Sequence, residues 1–97
     1  MAVRARRRAL ISLQESRQAA AVARSYRAYR GFSQDEMGLA LLWPAGRYAR
    51  IEQGRHRIHR EHLDELLAHA VATEPALGQA FVALAYSPAA PPEEASA

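Results

Sequence analysis

The chain has 97 residues and no cysteine, which allows one domain with short appendages and excludes a disulfide framework or a thiolate metal site. Its formal charge of +3 conceals a gradient. Residues 1–30 carry eight Arg against Glu15, residues 31–60 carry five Arg against three acids, and residues 61–97 carry six acids without Arg or Lys. A chain polarised in this way attracts an anionic partner at one end and repels it at the other.

In chain order, residues 1–9 read as a flexible basic arm bearing Arg4, Arg6, Arg7 and Arg8. From Leu10 the stretch ISLQESRQAAAVARSYRAYR has no Gly or Pro. It predicts one long helix, or two nearly continuous ones, stopping at Gly31. Val22, Tyr26 and Tyr29 fall on one i, i+4, i+7 face that can reach a core. Phe32-Ser33-Gln34-Asp35-Glu36-Met37 then reads as a helix start, with Ser33 as cap, Glu36 three residues on, and Phe32 and Met37 as a hydrophobic staple. This predicts a second helix over about 34–41. In Leu42-Trp43-Pro44-Ala45-Gly46 the proline keeps Trp43 extended, and it is tolerated at the first position of a third helix. That helix is expected over about 45–53, with Tyr48 and Ile51 facing inward and Gly54 closing it.

After the loop at 54–58, EHLDELLAHAVA repeats Leu63, Leu66, Leu67 and Ala70 at helical spacing. Thr73-Glu74-Pro75 starts a last helix with Leu77, Phe81 and Leu84 on one side. Residues 87–97 are rich in Pro, Ala and Glu and are expected to be disordered. The expected fold is all-α: a compact bundle of about five helices over residues 10–86.

Helices as short as the second and third persist only when packed on each other and on their neighbours. Gly38 offers a small residue where Tyr48 can approach. Here the chain resembles the phage-repressor-like helix-turn-helix family, the xenobiotic-response-element or Cro/repressor type. The resemblance is carried by Gly31-Phe32-Ser33-Gln34 at the opening of helix 2 and Ile51-Glu52-Gln53-Gly54 at the close of helix 3. It extends over about residues 22–71. It implies a lambda-repressor-like DNA-binding domain, with Met37, Leu41, Trp43, Tyr48 and Ile51 buried and Arg27 paired with Glu52 as a structural ion pair. Three positions depart from the family pattern. Leu42 stands where a Gly usually provides a positive φ. Pro44 stands where Ser or Thr caps helix 3. Ala45 and Gly46 stand where polar base-reading side chains are usual.

In that geometry helix 3 enters the major groove and the start of helix 2 lies on the backbone. The expected DNA contacts are Gln34 to phosphate or a base edge, Arg47 first and Arg50 second to guanine, and Ala45 and Gly46 to a thymine methyl or by close backbone approach. Arg55, Arg57 and Arg60 are placed for phosphates. The arm, through Arg4, Arg6, Arg7 and Arg8, is placed for a minor groove. All the basic residues are Arg, which can grip phosphate and guanine with two parallel bonds.

The four histidines lack a carboxylate or thiolate to complete a metal set. No nucleophile elbow or Gly-rich phosphate loop is present. No metal, cofactor or enzymatic activity is expected. With no membrane span, the chain is expected to be cytoplasmic, bacterial or phage-encoded, and associated with the nucleoid. The leading expectation is a transcriptional regulator, a repressor-type protein that occupies an operator in double-stranded DNA as a homodimer. The last helix and the long first helix are its candidate dimer surfaces. The alternative is an antitoxin-like or accessory module that kept the fold, binds another protein, and has weak or nonspecific DNA binding.

Overall fold

Two serines open the first two helices in the same manner. The computed structural model describes residues 9–86, so the arm at 1–8 and the tail at 87–97 lie outside the described residues. Ser12 accepts from the Glu15 N–H at 3.0 Å while Glu15 accepts from the Ser12 N–H at 3.0 Å, a reciprocal cap. From it runs α1, Leu13–Arg30, a single uninterrupted helix that stops where Gly31 turns left-handed at φ 70°. The helix begins three residues later than Leu10 because Ser12, as cap, must be extended, at ψ 164°. Leu10 instead forms an isolated antiparallel bridge with His59. Ile11 N–H donates to the Ile58 carbonyl and Arg60 N–H to that of Ala9, both at 2.9 Å.

Ser33 and Glu36 repeat the reciprocal cap at the head of α2, Gln34–Ala40. The end of α2 explains the unusual Leu42. Trp43 N–H reaches the Gly38 carbonyl at 2.9 Å and Leu42 N–H the Leu39 carbonyl at 3.0 Å. This paired closure needs a left-handed residue at Leu42, and Leu42 adopts it at φ 60°. The corner is thus the one a glycine would make, built with a leucine whose side chain is 91% exposed.

Pro44 does not start the third helix. It opens a turn closed by Arg47 N–H on the Pro44 carbonyl at 3.2 Å, and Gly46, at φ 87° and ψ −15°, takes the third position of a type II turn. A residue with that φ cannot be helical. Therefore α3 covers Arg47–Gln53, and Ala45 and Gly46 precede it.

The remaining helices are α4, Arg60–Thr73, and α5, Pro75–Tyr86. Tyr26, Met37, Trp43, Tyr48, Ile51, Ile58, Leu63, Leu66 and Phe81 belong to one buried cluster. Within it α1 packs against α3, α4 and α5, and α4 lies along α5, while α2 rests chiefly on α3. Val22 and Tyr26 join the core as their spacing implies, but Tyr29 is exposed and gives its hydroxyl to Glu74 at 3.3 Å. Along α5, Phe81 is buried while Leu84 remains 43% exposed.

The α4–α5 crossing depends on Gly78, to which the helical spacing gave no clue. A Cβ there would sit 2.4 Å from the Val71 Cα, so only glycine admits this approach. Gly38 is the opposite case: a Cβ would lie 4.0 Å from that of Tyr48, an ordinary contact, so closeness to Tyr48 does not require glycine there.

Candidate nucleic-acid interface

One buried carboxylate organises the basic face. Glu52 is 6% exposed. It accepts from Arg27 through Nε at 2.5 Å and Nη2 at 3.1 Å, and from Gln34 Nε2 at 2.9 Å. Arg27 also donates to the Phe32 carbonyl at 3.2 Å, and Arg24 Nη1 to the Glu52 carbonyl at 2.8 Å. The last turns of α1, the start of α2 and the end of α3 are therefore tied to one residue. Such a charge is tolerated inside only because its oxygens are matched by a guanidinium fork and an amide. The bond to Glu52 holds Arg27 even more firmly protonated than usual. Beneath the pair, Tyr48 donates its hydroxyl to the Ala23 carbonyl at 2.6 Å. Burial, then the charge of Glu52, pushes its pKa up, so it stays a neutral phenol.

Helix α3 turns Tyr48, Ile51 and Glu52 inward, which leaves Gly46, Arg50 and Gln53 exposed. Their i, i+4, i+7 spacing makes one outward stripe, with half-buried Ala49 beside it. Arg47 lies off this stripe. Its guanidinium stands 5.7 Å from the centre of the Trp43 ring, a cation–π arrangement. The indole is itself fixed by Nε1 donating to Glu65 at 2.6 Å. Arg47 and Arg50 line a cleft of about 360 Å³ along the flank of α3, together with Arg57, His59 and His62. The His59 and His62 rings meet edge to face at 5.3 Å. Partial burial, followed by the charge of Arg47, lowers the His62 pKa.

Two short helices joined by a tight corner, the second presenting a polar stripe, are the geometry of a helix-turn-helix, and the model of a helix-turn-helix domain family matches residues 18–80. The chain belongs to this family. No curated protein and no solved structure gives a match. The helix-turn-helix unit is α2, the Leu41–Gly46 corner and α3, braced from behind by α1, and its fold is a DNA-binding one.

Within the helix-turn-helix domain the residues singled out from sequence separate into groups. Gln34, Ala45, Gly46 and Arg50 lie on or beside the outward face of α3. Arg47 and Arg57 share the flanking cleft, whose rim Arg50 also lines, and Arg57 has its Nε on the Ile11 carbonyl at 2.9 Å. Arg55 is exposed beyond the end of α3. Arg60 turns away to Glu15, at 3.5 Å, and to the Tyr86 ring, 5.8 Å from its centre. Tyr86 in turn donates to Asp64. Arg4, Arg6, Arg7 and Arg8 fall outside the described residues. Gln53 was absent from the sequence-derived set because it follows the family's Ile-Glu and reads as part of the helix stop. Its signal was the seven-residue interval from Gly46. Arg24 was also missed, since nothing in a helical Arg spacing marks a contact to a carbonyl 28 residues away. Among the described residues no group of three His, Asp or Glu side chains comes together as metal ligands would, and no helix is long and apolar enough to cross a membrane.

Proposed function

We propose that this helix-turn-helix protein is a sequence-specific transcriptional regulator that occupies an operator in duplex DNA as a homodimer. The observation that carries the reading is the Glu52 brace. It holds Gln34, at the head of α2, beside the outward stripe of α3 before any DNA arrives. Groups fixed in advance lose little rotamer freedom on binding.

In this reading α3 lies in the major groove. Arg50, the arginine on the stripe, reads guanine through paired bonds, for about 1–3 kcal/mol of discrimination, and Gln53, at the end of the stripe, meets the backbone. Arg47, drawn over Trp43 into the flanking cleft, is better positioned than Arg50 for a phosphate or the groove edge. Gln34 takes a phosphate oxygen with its second amide proton. Ala45 and Gly46 keep the corner low enough for close approach, and Arg55 and Arg57 serve the backbone. Half-exposed Leu84 on α5 supplies apolar surface for pairing two copies, which two-fold operators require.

A second reading is favoured by one observation. Leu39 and Leu42 are 73% and 91% exposed beside Pro44 and Ala45, an apolar edge suited to a protein partner of an antitoxin-like or accessory module.

Selection from random duplexes at near-physiological salt, with competitor DNA, separates the two. A two-fold symmetric motif, lost at one base position in Arg50→Ala, supports the regulator. Recovery of no motif, with binding that disappears as salt rises, refutes it.

A further inference from the structure

At the C-terminal end of α3 a second basic cleft opens against α1. It encloses about 440 Å³ and is lined by Leu13, Arg17, Ala20, Arg24, Gln53, Gly54 and Arg55. Arg17, Ala20 and Arg24 follow at i, i+3, i+7 on a single face of α1. Gly54 lets the chain leave α3 against that face, since a Cβ there would meet the Ala20 Cβ at 3.1 Å. Among the described residues no carboxylate pairs with Arg17 or Arg55. Three arginines thus line one cleft whose walls hold no carboxylate side chain.

We propose that this cleft binds a phosphodiester of the DNA backbone, with Arg17 and Arg55 as its ligands and Arg24 as the residue that makes the position habitable for an anion. The inference rests on the reading of duplex DNA as the partner. A seven-residue helix is about 10 Å long, close to the roughly 12 Å width of the major groove. When α3 crosses the groove floor, its far end therefore arrives at a backbone wall, and the cleft is what stands there. The difficulty is the helix terminus itself, whose unpaired carbonyls carry partial negative charge and repel phosphate. Arg24 removes it: Nη1 covers the Glu52 carbonyl at 2.8 Å, so a guanidinium replaces an exposed oxygen. Helix α1, which lies outside the helix-turn-helix unit, becomes part of the DNA-binding surface.

The test uses the full chain and two unrelated duplexes of about 20 base pairs, with affinity followed by anisotropy over a salt series. Each phosphate contact contributes about 0.9 to the slope of log K against log salt. Arg17→Ala and Arg55→Ala are each expected to lower the slope by up to about 0.9, and the double variant by no more than about 0.9 because the two share one phosphate, equally on both duplexes. Arg17→Lys is expected to retain the wild-type slope. In the wild type, the side-chain Nε–H resonances of Arg17 and Arg55 are expected to shift on adding either duplex, a readout that needs no substitution. Wild-type binding with unchanged slopes and stationary resonances overturns the α1 cleft and leaves DNA binding standing. Failure of the wild type to bind any duplex overturns both.

Discussion

Replacing Leu42 by glycine isolates the strain in the corner between α2 and α3. Leu42 holds φ 60°, a conformation that costs an L-residue about 1–2 kcal/mol. Glycine adopts it freely but adds about 0.5–1 kcal/mol of unfolded-chain entropy. The lost side chain contributes little, because it is 91% exposed. The remaining tenth of the roughly 1.5–3 kcal/mol for full burial is about 0.2 kcal/mol. Leu42→Gly is therefore expected to stabilise the domain by about 0.3–0.8 kcal/mol, which raises Tm by about 1–6 °C at this size. Thermal melts and urea titrations followed by circular dichroism measure it, with the urea slope unchanged. Leu42→Ala keeps the strained backbone and removes the same side chain, so it should remain within about 0.5 kcal/mol of wild type. A destabilised glycine variant, or equal gains from alanine and glycine, would refute the reasoning by assigning the effect to the side chain and not to φ.

Glycines 38 and 78 should respond oppositely to alanine. Gly38→Ala gains about 0.5–1 kcal/mol from helix propensity, whereas Gly78→Ala forces α4 and α5 apart and loses about 3 kcal/mol; paired melts decide both signs. Tyr48→Phe leaves the packing intact and removes the bond to the Ala23 carbonyl, for a loss of about 1 kcal/mol in urea titration. Stability should also fall as the solution is acidified. His69, whose Nδ1 lies 2.7 Å from the Tyr26 hydroxyl, has its pKa lowered from 6.5 by burial and then by Arg30, and His62 is lowered as well. A depressed histidine binds its proton more readily when unfolded, so stability is complete above the ordinary value of 6.5 and is lost as pH falls towards the folded one. Tm should be lower at about pH 5.5 than at about pH 7.5, and His69→Gln should flatten part of that slope.

What the sequence disclosed depended on how local each cause was. The Ser33–Glu36 cap and the Gly31 stop act within a few residues, so α2 and the end of α1 were legible. The Arg27–Glu52 pair was legible only through the family resemblance, because it joins residues 25 apart in the chain. Arg27, Gln34 and Glu52 meet through tertiary packing alone. The start of α3 was misplaced by two residues because Gly46 needed its turn partner, the Pro44 carbonyl, to disclose a positive φ. The pattern that marks Arg47 and Arg50 alike as basic cannot tell that Trp43 draws the first aside. Gly78 gave no signal, since the backbone it must avoid belongs to a different helix.

The way α2 is held has a dynamic consequence. It is two turns long and rests chiefly on α3, fastened by the Leu42 corner at one end and the Gln34–Glu52 bond at the other. To the buried cluster α2 gives one side chain, Met37, whereas α1, α4 and α5 supply most of the rest. Opening α2 exposes little of that cluster, so its amides should exchange with solvent well before those of α1 and α4. If DNA binds as proposed, the helix that meets it is then the loosest of the five, and a duplex would register first as slowed exchange in α2, with the scaffold behind it unchanged.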